Sequence, residues 1–225
     1  MSKESPRPHP GTWRARLDFP AGAPPTSLEF SDPVAEWTTT SLGEVPGVLA
    51  AAEQAARDGL HVLGFVTYDA APAFDPAFSV PSGSGERPGL PLACFVGFTN
   101  AAPALSLDTA DCEVEALWQP DDRPEEHAAV VDSIRTSIAE GDAYLVNHTT
   151  RLRRSMGLTE KADDLYRRLV TNYGRGWHLF LESDAFSVAC GSPELFFSRS
   201  GSHLTTQPMK GTAPRGRWAA EDRSL

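Results

Sequence analysis

Four short strand-like runs crowd together toward the end of the chain: Trp177 to Glu182, Ala185 to Cys190, Glu194 to Arg199 and His203 to Gln207. The links Ser183-Asp184 and Ser200-Gly201 have the length of tight hairpins. Such a meander builds antiparallel sheet, because parallel neighbours need crossovers of a dozen or more residues. Two helical patterns precede it. The first begins at Pro124, with Glu125 and Glu126 in its opening turn, an apolar face at Val130, Val131, Ile134 and Ile138, and Gly141 as its stop. The second follows Thr159, with Ala162, Leu165, Tyr166, Leu169 and Tyr173 on one face and Gly174 closing it. Strands that follow helices rather than alternate with them predict an α+β fold, rich in antiparallel sheet with packed helices.

Upstream, Thr12 to Phe19 alternates (Trp13, Ala15, Leu17, Phe19) as a strand does, and Ser27 to Phe30 is a second, short candidate. Val45 to Asp58 is Ala-rich and reads as a helix stopped by Gly59. His61 to Tyr68 reads as a buried strand and Asp69 to Pro91, rich in Pro, Gly and Ser, as a long surface loop. Leu92 to Phe98, Cys112 to Trp118 and Tyr144 to Leu152 are further strand candidates. The polar turn Gln119-Pro120-Asp121-Asp122 is the expected internal boundary. It divides the chain into an N-terminal region, 1–122, and a second region, 123–225. At about 150 residues per domain, 225 residues make one and a half domains.

Composition narrows the function. Twenty Lys and Arg against thirty Asp and Glu give a net charge of −10, the wrong sign for a surface built to bind nucleic acid or anionic lipid. No apolar run reaches the ~20 residues of a membrane span, and Met1-Ser2-Lys3-Glu4-Ser5-Pro6 lacks the apolar stretch of a secretory signal. Three scattered cysteines (Cys94, Cys112, Cys190) form no CxxC pair, so a reducing, cytoplasmic setting is expected. Phosphate loops, GxGxxG, HExxH and GxSxG are absent from the sequence, and the six histidines lack ligand spacing on any one element.

The chemistry sits in Ser192-Pro193-Glu194 and in Gln207-Pro208-Met209-Lys210-Gly211-Thr212-Ala213-Pro214-Arg215-Gly216. Glu194 opens one strand of a hairpin, and the other strand runs into a loop stiffened by Pro208 and Pro214. The two ends of the hairpin lie side by side, so Glu194 and Lys210 are able to meet. A lysine held there suits a neutral amine nucleophile with a carboxylic acid beside it for proton transfer. The same residues equally suit an ordinary solvated turn lysine. The residue types alone leave both readings open.

Three stretches resemble the chorismate-utilising enzymes, the family of anthranilate synthase component I, isochorismate synthase and aminodeoxychorismate synthase component I. Gly141-Asp142-Ala143-Tyr144-Leu145-Val146-Asn147-His148-Thr149 is similar to the family's Gly-Asp-x-Tyr-Gln-Val-Asn-x-Thr, with Leu145 in place of Gln. Gly191-Ser192-Pro193-Glu194-Leu195-Phe196 is similar to its Ser-Pro-Glu motif, and Gln207 to Gly216 to its Pro-Ile-Lys-Gly-Thr-x-Pro-Arg-Gly. Gly64 to Asp75 resembles the N-terminal region of the aminodeoxychorismate branch. The resemblance implies an anthranilate-synthase-component-I-like fold. Lys210, where the other branches carry a small residue, implies amination of chorismate at C4 on the way to 4-aminobenzoate and folate.

By the same resemblance Lys210 is the nucleophile and Glu194 the acid/base that handles the leaving hydroxyl, while Gly211 and Thr212 donate to a chorismate carboxylate. A glutamine amidotransferase subunit is the implied source of ammonia. Mg²⁺ is the implied cofactor, its glutamate ligands expected beyond Leu225, so no metal ligand is assigned in 1–225 and an incomplete catalytic region is expected. Anthranilate synthase component I and a non-catalytic fragment are the alternatives. Ser27-Leu28-Glu29-Phe30 is a poor match to the family's Leu-Leu-Glu-Ser tryptophan pocket, so feedback by tryptophan is not expected.

Overall fold

The computed structural model describes residues 11–20, 26–80, 90–107, 118–157, 160–173, 176–209 and 216–222. In chain order its elements are β1 (Arg14–Phe19), β2 (Thr26–Thr39), α1 (Val45–Arg57), β3 (His61–Val66), β4 (Ala93–Pro103), β5 (Gln119–Pro120), α2 (Pro124–Glu140), β6 (Leu152–Arg153), α3 (Ala162–Asn172), β7 (Trp177–Glu182), β8 (Ser187–Ser192), β9 (Leu195–Ser200), β10 (His203–Gln207) and a short α4 (Ala219–Asp222). The chain forms two compact units, one of Met1–Thr109 with Ala162–Leu225, the other of Ala110–Lys161.

The first unit is built on a six-stranded sheet in the order β3-β4-β2-β1-β7-β8, every neighbouring pair antiparallel. Strands β1 and β2, from before the expected boundary at Asp122, therefore share one sheet with β7 and β8 from after it. One face of the sheet carries a core of Trp13, Ala15, Phe30, Leu63, Cys94, Val96, Phe98 and Leu181. Phe186, in the turn between β7 and β8, sets its ring edge-on to Trp13 at 5.8 Å and to Phe65 at 5.9 Å. Residues from both edges of the sheet thus meet in one core. Each large apolar side chain fully buried there contributes about 1.5–3 kcal/mol. On the opposite side Val45, Ala70 and Ala93 form a second cluster with Val48, Leu49 and Phe95, which seats α1.

Helix α1 starts at Val45-Pro46 and ends at Arg57, as its composition predicts. The second strand runs much further than expected, from Thr26 to Thr39. At Asp32-Pro33 the ladder with β4 continues through a register shift between Pro33 and Ala35. A bulge tolerates a proline that has no N–H to give. Asp32 itself takes φ 57°, and its carboxylate accepts a hydrogen bond from the Asn100 side-chain amide. The third strand is an edge rather than a buried strand, with Leu63 its one buried residue. The loop expected from Asp69 opens instead with a 3-10 turn, Tyr68–Ala73.

Gly64 explains itself by contact. A Cβ there would lie 2.2 Å from the Cys94 carbonyl oxygen and 2.5 Å from the Phe95 ring. The carbonyl belongs to the β3–β4 ladder and moves only with the strand. Gly64→Ala is therefore expected to lower stability by about 1–3 kcal/mol, read as a reduced denaturant midpoint. Gly47→Ala in α1, where nothing lies within 4 Å, is the control and is expected to stabilise by roughly 0.5–1 kcal/mol.

The polar side of β1 departs most from the sequence expectation. Alternation places Arg16 and Asp18 opposite the apolar residues, normally the solvent side, yet both are buried. Helix α3 covers them with Tyr166, which is fully buried. The Asp18 carboxylate takes two bonds from the Arg16 guanidinium, at 2.7 and 2.9 Å, and one from the Tyr166 hydroxyl at 2.6 Å. Arg16 also donates to Glu29 at 3.2 Å and to the Leu105 carbonyl at 2.8 Å. Burial pushes the Asp18 carboxyl up, but the bonds from Arg16, Tyr166 and Ser27 outweigh it and hold the group below 3.8. Burial beside that carboxylate raises the Tyr166 hydroxyl. Burial also pushes the Cys94 thiol up to about 12, so it is an inert core group.

The expected four-strand meander is two separate hairpins. Strands β7 and β8 pair within the large sheet, while β9 and β10 form a two-stranded ladder of their own. Two residues, Pro193 and Glu194, separate β8 from β9 and turn the chain out of the large sheet. On this hairpin Phe196 and Leu204 are largely exposed.

In the second unit, α2 is framed as its sequence predicts. The Glu126 carboxylate reaches back to the Arg123 N–H at 2.9 Å, and Gly141 closes the helix at φ 87°, a conformation that favours glycine. No residue of α2 is buried. Gln119 pairs with Arg153 and Pro120 with Leu152, and the Asp121 carboxylate bonds both Arg151, at 2.8 Å, and Arg153. This clip ties the chain entering α2 to the chain returning from it. The strand expected over Tyr144 to Leu152 does not form, apart from Leu152 itself in β6. It has no neighbour to complete a ladder among the described residues, and Tyr144 stands exposed. Buried atoms without a hydrogen-bond partner stand in and just after this segment: His148 Nε2, Thr150 Oγ1 and Arg154 Nε. The strand expected at Cys112 to Trp118 falls, apart from Trp118, outside the described residues, as does Gly174.

Candidate functional site

The hairpin of β9 and β10 joins the two motifs that the sequence singles out. Leu195 is directly opposite Gln207, so Glu194 and Pro208, one residue further out on each strand, stand at the same open end. The sequence expectation brings Glu194 and Lys210 together at this end of the hairpin. Lys210, Gly211 and Thr212 lie outside the described residues.

Between the pairs Thr205–Ser198 and Gln207–Leu195 two residues of β9, Phe196 and Phe197, face one of β10, Thr206. A bulge with one extra residue re-aims the side chains next to it. Here Phe196 and Phe197, two and three residues after Glu194, stand edge-on to one another with ring centroids 5.4 Å apart.

Glu194 is exposed, and no described side chain pairs with its carboxylate. Its backbone, in contrast, is doubly held. The Ser192 hydroxyl donates to the Glu194 carbonyl at 2.9 Å and accepts from the Glu194 N–H at 3.3 Å. Ser192 is the last residue of β8, paired with Trp177. The turn thus starts from the edge of the six-stranded sheet. Sequence reading singled out Glu194 but not this use of Ser192, although a hydroxyl two residues before a polar turn residue is a known signal for such a turn.

The Gly141 to Thr149 stretch belongs to the other unit. Gly141 caps α2, and the residues after it run without regular structure to Arg151. The His148 ring lies 4.9 Å from that of His127. Arg154, nearly buried, pairs with Glu160 at 2.7 Å and covers the Trp118 ring at 5.2 Å.

Among the described residues no group of three or more His, Cys, Asp or Glu is placed to hold a metal ion. These residues do not make a Mg²⁺ site. No helix among the described residues is long and apolar enough to cross a membrane.

Mixed helix and antiparallel sheet, with a Ser-Pro-Glu turn leading into the β9–β10 hairpin and Lys-Gly-Thr following it in the sequence, fit a class of chorismate-handling proteins. The chain belongs to the chorismate binding enzyme family, whose pattern matches residues 102–225. Among its relatives, aminodeoxychorismate synthase component 1 of Bacillus subtilis is 36% identical over 95 residues, 42% of this chain and 20% of that protein. Anthranilate synthase component 1 of Haloarcula marismortui is 30% identical over 102 residues, 45% of this chain and 20% of the relative. That of Aquifex aeolicus is 29% identical over 108 residues, 48% and 22%. The chain thus spans about a fifth of the length of the curated relatives it matches.

Proposed function

We propose that this protein works as aminodeoxychorismate synthase component I, replacing the C4 hydroxyl of chorismate by an amino group for 4-aminobenzoate and folate synthesis. The observation that carries this reading is Lys210, at the position before Gly-Thr where a small residue would leave room for direct attack on the ring. The unprotonated Lys210 amine forms a bond to C2 of the ring. The double bonds shift, the C4–O bond breaks, and Glu194 protonates the departing oxygen, releasing water. Ammonia then bonds to C4 as the C2–N bond breaks, which returns the lysine. Chorismate and ammonia become 4-amino-4-deoxychorismate and water, with no oxidant or reductant needed. Covalent attack splits one difficult displacement into two easier ones. Gly211 and Thr212 bind a chorismate carboxylate through a backbone N–H and a hydroxyl, and Mg²⁺ belongs to the same reading as its cofactor. The ammonia comes from a glutamine amidotransferase subunit. The anthranilate-synthase-component-I-like fold and the cytoplasmic setting belong to this reading too.

Anthranilate synthase component I is the second reading, favoured by the relatives at 30% and 29% identity. One experiment separates them. The protein at its full natural length is incubated with chorismate, ammonium and Mg²⁺, and the product is identified by mass and proton NMR. Nitrogen at C4 with the side chain retained is the expected result. Anthranilate would transfer the assignment to the second reading, and untouched chorismate would sink both.

A further inference from the structure

We propose that Ser192 is the positioning residue for Glu194, setting where that carboxylate stands when it protonates the leaving oxygen. This rests on the reading of Glu194 as the acid/base. Glu194 falls between two ladders: β8 ends at Ser192 and β9 begins at Leu195. Its N–H and carbonyl are therefore left without strand partners, and one side-chain hydroxyl holds both, at 3.3 and 2.9 Å. Between the two residues Pro193 fixes its own φ near −65°, which leaves the turn few alternatives.

The base of the turn is as well held as its tip. Ser192 pairs with Trp177. Just before it, a Cβ on Gly191 would touch His178 Nδ1 and Leu169 at 3.4 Å, so β8 is packed closely against β7 and α3 there. Just after Glu194, the bulge at Phe196 and Phe197 fixes the outgoing direction of the chain. The carboxylate itself has no described partner. What the structure fixes is the backbone from which that side chain projects, and Ser192 holds it at both the N–H and the carbonyl. A proton donor must be placed closely, and an error of about 1 Å can cost on the order of 10²-fold in rate.

Ser192→Ala removes the hydroxyl and Ser192→Thr keeps it. Both are compared with the wild-type protein, at full natural length, by steady-state consumption of chorismate with ammonium, alongside thermal melting. The expected result is a kcat about 10–100-fold lower for Ser192→Ala, a KM for chorismate within about twofold of wild type, a melting temperature unchanged, and recovery of most of the rate by Ser192→Thr. Wild-type kcat in Ser192→Ala, or a loss that Thr does not recover, overturns the assignment. So does a loss that tracks a fall in melting temperature. A wild-type protein that leaves chorismate untouched refutes the underlying reading instead, and the role of Ser192 falls with it.

Discussion

Asp18→Ala is expected to destabilise the protein by about 3–5 kcal/mol, a large share of the roughly 5–15 kcal/mol that holds an ordinary domain folded. The carboxylate is the hub of a buried network: the Arg16 guanidinium grips it at two points and the Tyr166 hydroxyl at a third. Truncation leaves a guanidinium nine-tenths buried, with the exposed Glu29 carboxylate and the Leu105 carbonyl as its remaining partners. A cation stripped of its counter-charge inside a protein costs far more than the pair contributed when whole. Asp18→Asn keeps the shape and an acceptor for Tyr166 but loses the charge, so its destabilisation should fall short of the alanine variant. Tyr166→Phe removes one hydroxyl from a charged acceptor and should cost about 1.5–3 kcal/mol. Chemical denaturation of the three variants checks the order.

The same network fixes the response to acid. The folded-state value of Asp18 lies below the ordinary 3.8. Its ionised form is therefore favoured by folding, and the stabilisation is fully present above the unfolded value. It is lost as pH falls through the folded value. The denaturation midpoint of the wild-type protein should hold steady down to about pH 4 and then fall. In Asp18→Asn that acid-side decline should be visibly shallower. An equal slope in the two proteins would show that other carboxylates govern the acid response.

The second large effect concerns chemistry. Lys210→Ala in the protein at full natural length should lower C4 amination of chorismate by at least about 10³-fold, the order expected when a covalent nucleophile is removed. Alanine also creates the space that the other branches of the family have at this position. Residual turnover should therefore place nitrogen at C2 rather than C4. The position of nitrogen in the product is the decisive readout, since a merely unfolded variant would make neither compound. Unaltered C4 product at wild-type rate would remove Lys210 from the mechanism. Lys210→Arg, charged at all working pH, should be as inactive as alanine without any diversion to C2.

Helix ends and strand faces are legible in this sequence; strand neighbours are not. Pro46 and Pro124 open α1 and α2 and glycines close them, and these are local signals. The alternation Trp13, Ala15, Leu17, Phe19 shows correctly which face of β1 is apolar. It is silent on the other face, because Arg16 and Asp18 look the same in sequence whether water or Tyr166 covers them, and Tyr166 is 148 residues away. Tyr144 to Leu152 carries a strand pattern, but a strand is a relation between two segments, and the second one is not beside it among the described residues. The same limit splits the meander: tight links predict β7–β8 and β9–β10, while nothing local says that β8 and β9 do not pair. The candidate site was legible as motifs, through residue types and order. Its one visible piece of geometry, the hydroxyl pinch on Glu194, depends on β8 ending at Ser192, which only the pairing with Trp177 decides.

The place of β1 between β2 and β7 has a consequence for how the molecule is made. Arg14 at its start meets Glu182, 168 residues later. A ribosome adding about 5–20 residues per second needs on the order of 10–30 s to supply that partner. Throughout that interval the first strand has one neighbour and an open edge, with Arg16 and Asp18 still wet. The hub closes only when α3 and β7 have emerged, so the N-terminal core is completed after synthesis has passed the whole of the second unit. Pauses in translation between residues 110 and 176 would prolong the exposure of that edge, whereas pauses after β7 has emerged would not.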